Sequence, residues 1–204
     1  MDNSNTTTLP LMEHFCTIQG EGRFTGHAAY FIRLGGCDVG CVWCDVKESW
    51  DASKHPLVPI ANIVDWVIES GVEIAVITGG EPLMHDLSSL TVLLKEKGIR
   101  THIETSGAHQ LSGQWDWICL SPKKFKAPLK EVIDSAHELK VVVYNKSDFE
   151  WAEKHAEQVN NNCLLYLQPE WSRTNEMSPQ IINYIKSSPK WILSLQTHKY
   201  LDIP

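Results

Sequence analysis

The chain has 204 residues, of which 43% are hydrophobic and 21% charged, and its formal net charge is -7. This composition is that of a globular protein with one substantial core, and the acidic balance argues against a nucleic-acid partner, which needs a clustered basic surface. No apolar run approaches the roughly 18 residues that span a bilayer, so we expect no membrane partner either.

Residues 1–11 are polar and rich in Thr and Asn, which predicts a disordered lead. They contain neither the basic n-region nor the apolar h-region of a signal peptide, so we expect a cytoplasmic protein. Six cysteines are too few for a disulfide scaffold in a chain of this length. Residues 12–204 contain no convincing linker, and we predict a single domain there.

Short apolar runs alternate along the chain with amphipathic stretches, which predicts strands and helices in turn. The predicted strands cover 28–34, 73–77, 99–104, 115–120, 138–144, 163–167 and 191–195. The predicted helices cover 59–70, 86–97, 147–158 and a segment that begins at 178. Ser147 with Glu150 predicts a capping box, and Ser178 is expected to cap the last helix with Pro179 in its first turn.

This alternation predicts an α/β fold in which near-continuous apolar strands pair in parallel and helices cover the sheet. A complete eight-fold barrel typically needs about 250 residues. Because the chain is shorter, we predict an incomplete, TIM-like barrel of mostly parallel strands. Ligands of such sheets bind at the carboxyl ends of the strands, so the segments just after each strand are the candidates for function.

Three cysteines, Cys37, Cys41 and Cys44, follow the first predicted strand with the spacing C-x3-C-x2-C. One loop with this spacing can wrap a metal centre, since thiolates bind both iron and zinc. A structural zinc site needs four protein ligands, and His27 or His55 would have to supply the fourth, so a zinc knuckle stays open as an alternative. Three cysteines on a four-iron cluster would instead leave one iron free for a substrate or cofactor. We predict the iron–sulfur cluster.

A glycine-rich segment, TGGEP at 78–82, follows the second predicted strand, and its glycines allow a backbone to approach a ligand closely. Together with the cysteine spacing and the aromatic Trp43, it resembles the radical S-adenosylmethionine (SAM) superfamily. The resemblance implies a 4Fe–4S cluster on the three cysteines and S-adenosylmethionine bound to the open iron. It also implies the partial barrel of the radical SAM core and an electron donor as a partner.

Further segments narrow the family: TIQGEG at 17–22, SPK at 121–123, Gln168-Pro169, and QTHK at 196–199. In this order, from about Met12 to Pro204, they resemble the 7-carboxy-7-deazaguanine synthase family. The resemblance implies a lyase of queuosine and 7-deazapurine biosynthesis. Its small-molecule pterin substrate would be 6-carboxy-5,6,7,8-tetrahydropterin, converted to 7-carboxy-7-deazaguanine with loss of ammonia. A homodimer is implied as well.

The resemblance assigns site residues wherever this sequence matches the family's motifs. The implied metal ligands are Cys37, Cys41 and Cys44. The implied cofactor-binding residues are Trp43, Cys44, Asp45, Gly80, Ser121, Pro122, Lys123, Gln168, Pro169, Glu170 and Trp171. The implied substrate-binding residues are Ile18, Gln19, Gly20, Arg33, Thr78 and Pro204. Arg33 would hold the carboxylate, and the terminal carboxylate of Pro204 would meet the amino edge of the pterin. The candidate catalytic residues are Glu21, Glu104 and His198.

One position departs from the family pattern. Many of these synthases follow the last cysteine with Asp-Thr, whose hydroxyl helps to bind magnesium, whereas this chain has Asp45 and Val46. Valine offers no oxygen to a cation that prefers oxygen ligands. Lys47 supplies a positive charge that could replace the metal, and we predict weak or absent magnesium dependence.

Two other functions share the cysteine spacing. A glycyl-radical activating enzyme would act on a partner protein, but the TIQGEG and QTHK segments argue against it. A metal-binding or electron-transfer module would hold a cluster without an open iron, and it would release no deoxyadenosine from S-adenosylmethionine.

Overall fold

The computed structural model describes residues 7–204, and a nine-stranded sheet organises them. The strands are β1 (Thr8–Ile18), β2 (Ala28–Leu34), β3 (Leu57–Pro59), β4 (Ile74–Gly79), β5 (Arg100–Thr105), β6 (Trp117–Leu120), β7 (Glu138–Val143), β8 (Leu164–Pro169) and β9 (Trp191–Leu193). They are ordered β3-β1-β2-β4-β5-β6-β7-β8-β9. Neighbours from β2 to β9 pair in parallel, and β1 pairs antiparallel with β2 and β3. Because β3 and β9 lie at opposite edges, the predicted incomplete barrel is confirmed.

The α-helices of these residues are α1 (Ile60–Glu69), α2 (Ser88–Glu96), α3 (Lys130–Ser135), α4 (Ser147–Ala156), α5 (Thr174–Ser187) and α6 (Thr197–Leu201). The sequence of α1 shows why it is helical, since Ile60, Ile63, Val64 and Val67 recur every three or four residues and are buried. The turn after α1 contains Gly71 at φ 72°, a left-handed conformation that glycine adopts without strain. Among residues 7–204, none of the helices has the length and hydrophobicity that a bilayer crossing requires.

The two faces of the sheet differ because successive side chains of a strand point to opposite sides. One face packs on the helices and forms the main core, which includes Ile77, Ile103 and Leu139. The opposite face, called the inner face from here on, holds a small apolar cluster of Ala29 and Val76 near the amino ends of the strands. Its polar side chains lie toward the carboxyl ends, where ligands bind in parallel sheets.

The prediction of a disordered lead over 1–11 is wrong for residues 8–11. These residues begin β1, where residues 8–10 pair with β3 and Leu11 pairs with β2, and Leu9 and Leu11 are buried at 3% and 4% exposure. The physical reason is the alternation Leu9-Pro10-Leu11, which places two leucines in the main core. Residues 1–6 of the predicted lead lie outside the described part of the chain.

Helix α4 begins at Ser147 as predicted, but its predicted cap and the predicted start of α5 are wrong. The Ser147–Glu150 capping box is absent at the start of α4, where the Asn145 side chain accepts from the Ser147 N–H at 3.0 Å. Helix α5 begins at Thr174, four residues before Ser178, and Pro179 lies inside it. A proline in the first turn is common, but the pattern alone did not distinguish that position from one a turn further on.

Candidate active site

A cavity of about 230 Å³ opens on the inner face at the carboxyl ends of the parallel strands. Each of the six strands β2, β4, β5, β6, β7 and β8 brings a polar side chain to it, from its inner side or from the residue just beyond its end. These side chains are Arg33, Thr78, Glu104, Ser121, Lys140 and Gln168. A concave site with several convergent polar groups is typical of an enzyme for a small molecule.

The cysteine loop, residues 37–44, forms one wall of this cavity. Cys37, Cys41 and Cys44 all line it, and they pack together with Val39 and Ala108. Burial raises the pKa of Cys37 and of Cys41, so binding of iron must displace thiol protons.

Asp38 anchors the cysteine loop to two neighbouring loops. Its carboxylate lies 2.6 Å from Lys126 Nζ and 2.9 Å from His109 Nε2. Lys126 follows β6 and His109 follows β5, so the loop is fixed by segments at the carboxyl ends of two further strands.

The three thiols do not converge on one point. Among residues 7–204, no three His, Cys, Asp or Glu side chains lie close enough together to hold a single metal ion. A four-iron cluster spans wider separations, since each cysteine ligates a different iron. His27 and His55, the candidates for a fourth zinc ligand, contact the backbone oxygens of Phe24 and Glu48 instead. The donor set therefore fits the predicted cluster better than a zinc knuckle.

Gly79 and Gly80 bring the TGGEP segment onto the cysteine loop. A Cβ at Gly80 would lie 2.4 Å from the Gly36 oxygen and 2.6 Å from Cys37 Cβ, and one at Gly79 would lie 2.2 Å from the Leu34 oxygen. Gly80 N donates to that Leu34 oxygen at 3.1 Å. These glycines thus allow two backbone segments to pack closely, a role additional to the close ligand approach that the sequence pattern suggested.

Glu81 is a buried anchor at the end of the same segment, with 1% of its surface exposed. Its N–H donates to the Gly36 oxygen at 2.9 Å. Its carboxylate accepts from Leu83 N at 3.1 Å, from Thr105 Oγ1 at 2.5 Å, and from Ser106 N at 2.8 Å and Oγ. One side chain therefore joins the ends of β4 and β5 beside the cysteines.

A family model of the radical SAM superfamily matches residues 31–142, which contain the cysteine loop and the TGGEP segment. A relative from Flavobacterium psychrophilum, named 7-carboxy-7-deazaguanine synthase, is 57% identical over 96% of this chain and 93% of its own length. This chain belongs to the 7-carboxy-7-deazaguanine synthase family. The predicted radical SAM enzyme is thereby confirmed, with the 4Fe–4S cluster and S-adenosylmethionine that the superfamily implies.

Other members of the 7-carboxy-7-deazaguanine synthase family agree over the whole chain. A relative of that name from Synechocystis is 48% identical over 97% of this chain and 95% of its own length. The crystal structure of QueE from Escherichia coli matches with a TM-score of 0.86 and 32% identity, covering 97% of this chain and 99% of that one. The likeness thus extends well beyond residues 31–142 of the superfamily match.

A charged cluster at the cavity joins two of the candidate catalytic residues. Lys140 Nζ lies 2.6 Å from Glu21 Oε2 and 2.8 Å from Glu104 Oε2. Gln19 Nε2 donates to Glu104 Oε1 at 3.3 Å, and the Glu21 N–H donates to Gln19 Oε1 at 3.1 Å. Burial by itself would raise the pKa of Glu21, but the charge and hydrogen bond of Lys140 outweigh it and lower this pKa to about 2.

The C-terminal segment packs against the TIQGEG segment. Thr197 N donates to the Gly20 oxygen at 2.9 Å, and a Cβ at Gly20 would lie 2.4 Å from His198 Nδ1. Burial lowers the pKa of His198. Lys199 Nζ reaches Asp45 Oδ2 at 2.6 Å, so the last helix is joined to the residue that follows the third cysteine.

Most of the site residues predicted for this family meet at the cavity. Those that line it are Glu21, Arg33, Cys37, Cys41, Trp43, Cys44, Asp45, Thr78, Gly80, Glu104, Ser121, Lys123, Gln168, Glu170 and Trp171. Pro122 lines an adjoining cavity of about 340 Å³. Those that do not line the main cavity are Ile18, Gln19, Gly20, Pro169, His198 and Pro204. Pro204 is exposed at the chain end, and Lys47, the predicted substitute for magnesium, is exposed as well.

Several residues of the cavity wall escaped the sequence analysis, with Lys140 the most important. A signal for it exists, because a lysine within the apolar run 138–144 must be paired if the strand is buried. Trp50 and Gln196 also line the cavity. Trp50 follows no predicted strand, and no pattern distinguished it from a surface residue, whereas Gln196 directly follows the predicted strand 191–195 and begins the QTHK segment.

Proposed function

We propose that this chain converts 6-carboxy-5,6,7,8-tetrahydropterin into 7-carboxy-7-deazaguanine and ammonia, as a radical SAM lyase of queuosine and 7-deazapurine biosynthesis. One observation carries the proposal. A single cavity is lined by the three cysteines, by Arg33 and by the Glu21–Lys140–Glu104 cluster, in a chain whose relatives bear the name of this activity.

In this proposal Cys37, Cys41 and Cys44 ligate three irons of the cluster. When bound, the cluster and S-adenosylmethionine supply a carbon-centred radical that removes a hydrogen atom from the substrate. The residues proposed to hold S-adenosylmethionine are Trp43, Asp45, Gly80, Ser121, Pro122, Lys123, Gln168, Pro169, Glu170 and Trp171. Part of this wall is already ordered, since Lys123 Nζ donates to Ser121 Oγ at 2.6 Å and lies 5.4 Å from the centre of a Trp43 ring.

Arg33 is proposed to bind the carboxylate of the substrate. Glu13 Oε1 lies 2.5 Å from Arg33 Nε, a contact that helps to fix the guanidinium and leaves its Nη donors for a second acceptor. Thr78 is the neighbour of Arg33 in the sheet and lines the same cavity. Together they would position the end of the pterin that carries the carboxylate.

The opposite, amino-rich edge of the pterin is proposed to meet Ile18, Gln19, Gly20 and the terminal carboxylate of Pro204. Because Pro204 is exposed outside the cavity wall, this contact requires the last residues to fold inward around the substrate. His198, packed on Gly20, is the candidate for proton transfer on that side.

We propose weak or absent magnesium dependence for this enzyme. Val46 has no oxygen for the cation, and Lys199 already pairs with Asp45 at 2.6 Å. Lys47 is exposed outside the cavity wall, so Lys199 is the better candidate for the charge that replaces the metal. Chelation followed by desalting should lower turnover by less than about twofold. Activity that collapses and returns only with magnesium would contradict this.

The remaining partners are also proposals. An external electron donor must reduce the cluster. The compartment is proposed to be the cytoplasm, because six free cysteines and an oxygen-sensitive cluster suit a reducing environment. A homodimer follows from family resemblance, and light scattering of the reconstituted enzyme tests it directly.

The proposed function is tested anaerobically with the reconstituted enzyme, reductant, S-adenosylmethionine and the carboxypterin. Formation of 7-carboxy-7-deazaguanine and ammonia, without any partner protein as substrate, is expected. Cys41→Ala should abolish both the brown colour and turnover, whereas Cys163→Ala, which removes a buried thiol outside the cavity wall, should keep them. A wild-type enzyme that binds the cluster and cleaves S-adenosylmethionine, yet leaves the carboxypterin unchanged, would refute the substrate.

A further inference from the structure

Lys140 is a buried lysine that the proposed chemistry has not yet used. Its side chain is 4% exposed, and it projects from the inner side of β7 into the cavity. One ammonium group contacts two carboxylates, Glu21 at 119 residues' separation and Glu104 at 36. A lysine is almost never so buried unless it is paired, and here the two carboxylates provide that pairing.

Charged and titratable groups face Lys140 from every element around it. They are Glu21 after β1, Glu104 on β5, Cys119 on β6, Glu138 on β7 and, further off, Lys123 and His198. Burial disfavours the ammonium form, but the acidic neighbours outweigh it and raise the pKa of Lys140 well above its ordinary value. Burial raises the pKa of Cys119 and of Glu138, so these two groups compete less with Glu21 and Glu104 for the Lys140 ammonium group. Lys140 is therefore a permanent positive charge between Glu21 and Glu104.

Without this cation the site would hold two carboxylates in one poorly hydrated space. Two carboxylates that share such a space repel each other, so one of the two carboxyl groups takes up a proton at a higher pH than it would beside a cation. A protonated carboxyl donates a hydrogen bond where a carboxylate accepts one. The charge at position 140 thus determines whether Glu21 and Glu104 both accept hydrogen bonds or whether one of them donates.

We propose that Lys140 is a positioning residue that keeps Glu21 and Glu104 ionised together, so that both accept hydrogen bonds from N–H groups of the substrate ring. The inference rests on the proposed function, since a reduced pterin presents several N–H donors. Lys140 engages the Oε2 atom of each carboxylate, which leaves a second oxygen on each for the ligand. Gln19 Nε2 approaches that second oxygen of Glu104 at 3.3 Å and helps to aim it.

The test compares wild type with Lys140→Met and Lys140→Arg, each reconstituted anaerobically. Two quantities are measured as a function of pH from about 6 to 8.5: kcat/KM for the carboxypterin and the Kd of 7-carboxy-7-deazaguanine, which also carries ring N–H donors. Lys140→Met removes the charge at similar length, and we expect its affinity to fall by up to about tenfold per pH unit toward acid. Lys140→Arg keeps the charge and should follow the wild-type pH dependence, even where its kcat/KM is lower.

A double variant separates charge from packing. Lys140→Met combined with Glu104→Gln carries one carboxylate and no cation, so its net charge equals that of the native cluster. The double variant should therefore fold, and its affinity should show no new loss toward acidic pH. If Lys140→Met alone fails to fold and the double variant folds, the proposal stands. If both fail to fold, or if Lys140→Met lowers kcat/KM by one constant factor at every pH, Lys140 only fills space and the proposal is overturned.

These outcomes are separate from the failure of the proposed function. Product formation by the wild type tests the reaction. The change in the shape of the pH profile between Lys140→Met and Lys140→Arg tests the role of the lysine.

Discussion

Glu81 illustrates how much a single buried side chain contributes at the cavity. Its carboxylate accepts hydrogen bonds from Leu83 N, Thr105 Oγ1 and both donors of Ser106. Glu81→Gln keeps the shape but turns an amide donor toward groups that themselves donate. A buried donor without an acceptor costs free energy, and we expect the free energy of unfolding to fall by about 2–4 kcal/mol.

The matched control for this prediction is an exposed glutamate just before β4, the strand that Glu81 follows. Glu73 has 86% of its side chain exposed and lies 3.9 Å from Arg100. Surface ion pairs of this kind contribute little, so Glu73→Gln should change the free energy of unfolding by less than about 0.5 kcal/mol. Denaturant titration of the apoprotein measures both variants. Equal effects at the two positions would mean that the Glu81 network is not a stabilising anchor.

Strand β1 contributes buried residues to the core although the sequence analysis did not predict it. Leu11 is buried at 4% exposure, pairs with Leu34 and donates from its N–H to the Pro56 oxygen at 3.0 Å. Leu11→Ala should therefore destabilise the fold by about 2–4 kcal/mol, through lost burial and the cavity left behind. Leu57→Ala, on the adjacent strand but 68% exposed, should cost less than about 0.5 kcal/mol. Similar losses for both would contradict the placement of residues 8–11 in the core.

Helix α6 is a short element that one ion pair, Lys199 with Asp45, joins to the end of the cysteine loop. Lys199 is 21% exposed and Asp45 58% exposed, so the pair contributes at most about 1 kcal/mol. Lys199→Met should leave the fold intact and raise the KM for the carboxypterin by up to about fivefold, because the C-terminal segment then spends less time against the cavity. Added salt should raise the KM of the wild type toward that of the variant.

Lys154→Met is the control for the prediction on α6, since it removes an exposed pair with Glu150 on α4, away from the cavity. Its KM should equal that of the wild type at every salt concentration. If Lys199→Met also left KM and its salt dependence unchanged, the contact with Asp45 would have no part in substrate binding.

The elements that the sequence predicted well are those with an uninterrupted pattern. Strands such as β2 and β7 are apolar runs bounded by polar turns, and they match the prediction within one residue. Strand β1 was missed because its alternation breaks at a register shift between Leu11 and Glu13, so that no two-residue period runs through it. Helix α6 has five residues, too few for a helical period to show.

At the scale of the whole molecule, the cavity was predictable in part. Parallel strands bring their carboxyl ends to one edge, so the cysteine loop after β2 and the TGGEP segment after β4 had to be neighbours. The partners of Lys140 were not predictable in this way. Because side chains alternate along a strand, Lys140 lies on the same side of β7 as Glu138. Glu21 and Glu104 are distant in the sequence and reach Lys140 only in the folded chain.

The opposite end of the inner face carries an aromatic cluster around His102. The ring of His102 is 4% exposed and lies 4.5 Å from the Phe24 ring and 6.5 Å from a Trp117 ring. Burial, reinforced by the charge of Arg100, lowers the pKa of His102 to about 4. This end of the barrel is thus closed by a histidine that the fold keeps neutral.

A neutral buried histidine makes the stability of the whole molecule depend on pH. The unfolded chain binds a proton at His102 below about pH 6.5, whereas the folded chain resists it down to about pH 4. The stability that depends on a neutral His102 is therefore fully present above about pH 6.5 and is lost as the pH falls from there toward about 4. Linkage gives a loss of about 2 kcal/mol between pH 7.5 and 5. Urea titrations at these two pH values should show this loss in the wild type and a smaller one in His102→Gln. His27→Gln, at an exposed histidine beside the same phenylalanine, should keep the wild-type loss. An identical pH dependence in wild type and His102→Gln would exclude His102 as its source.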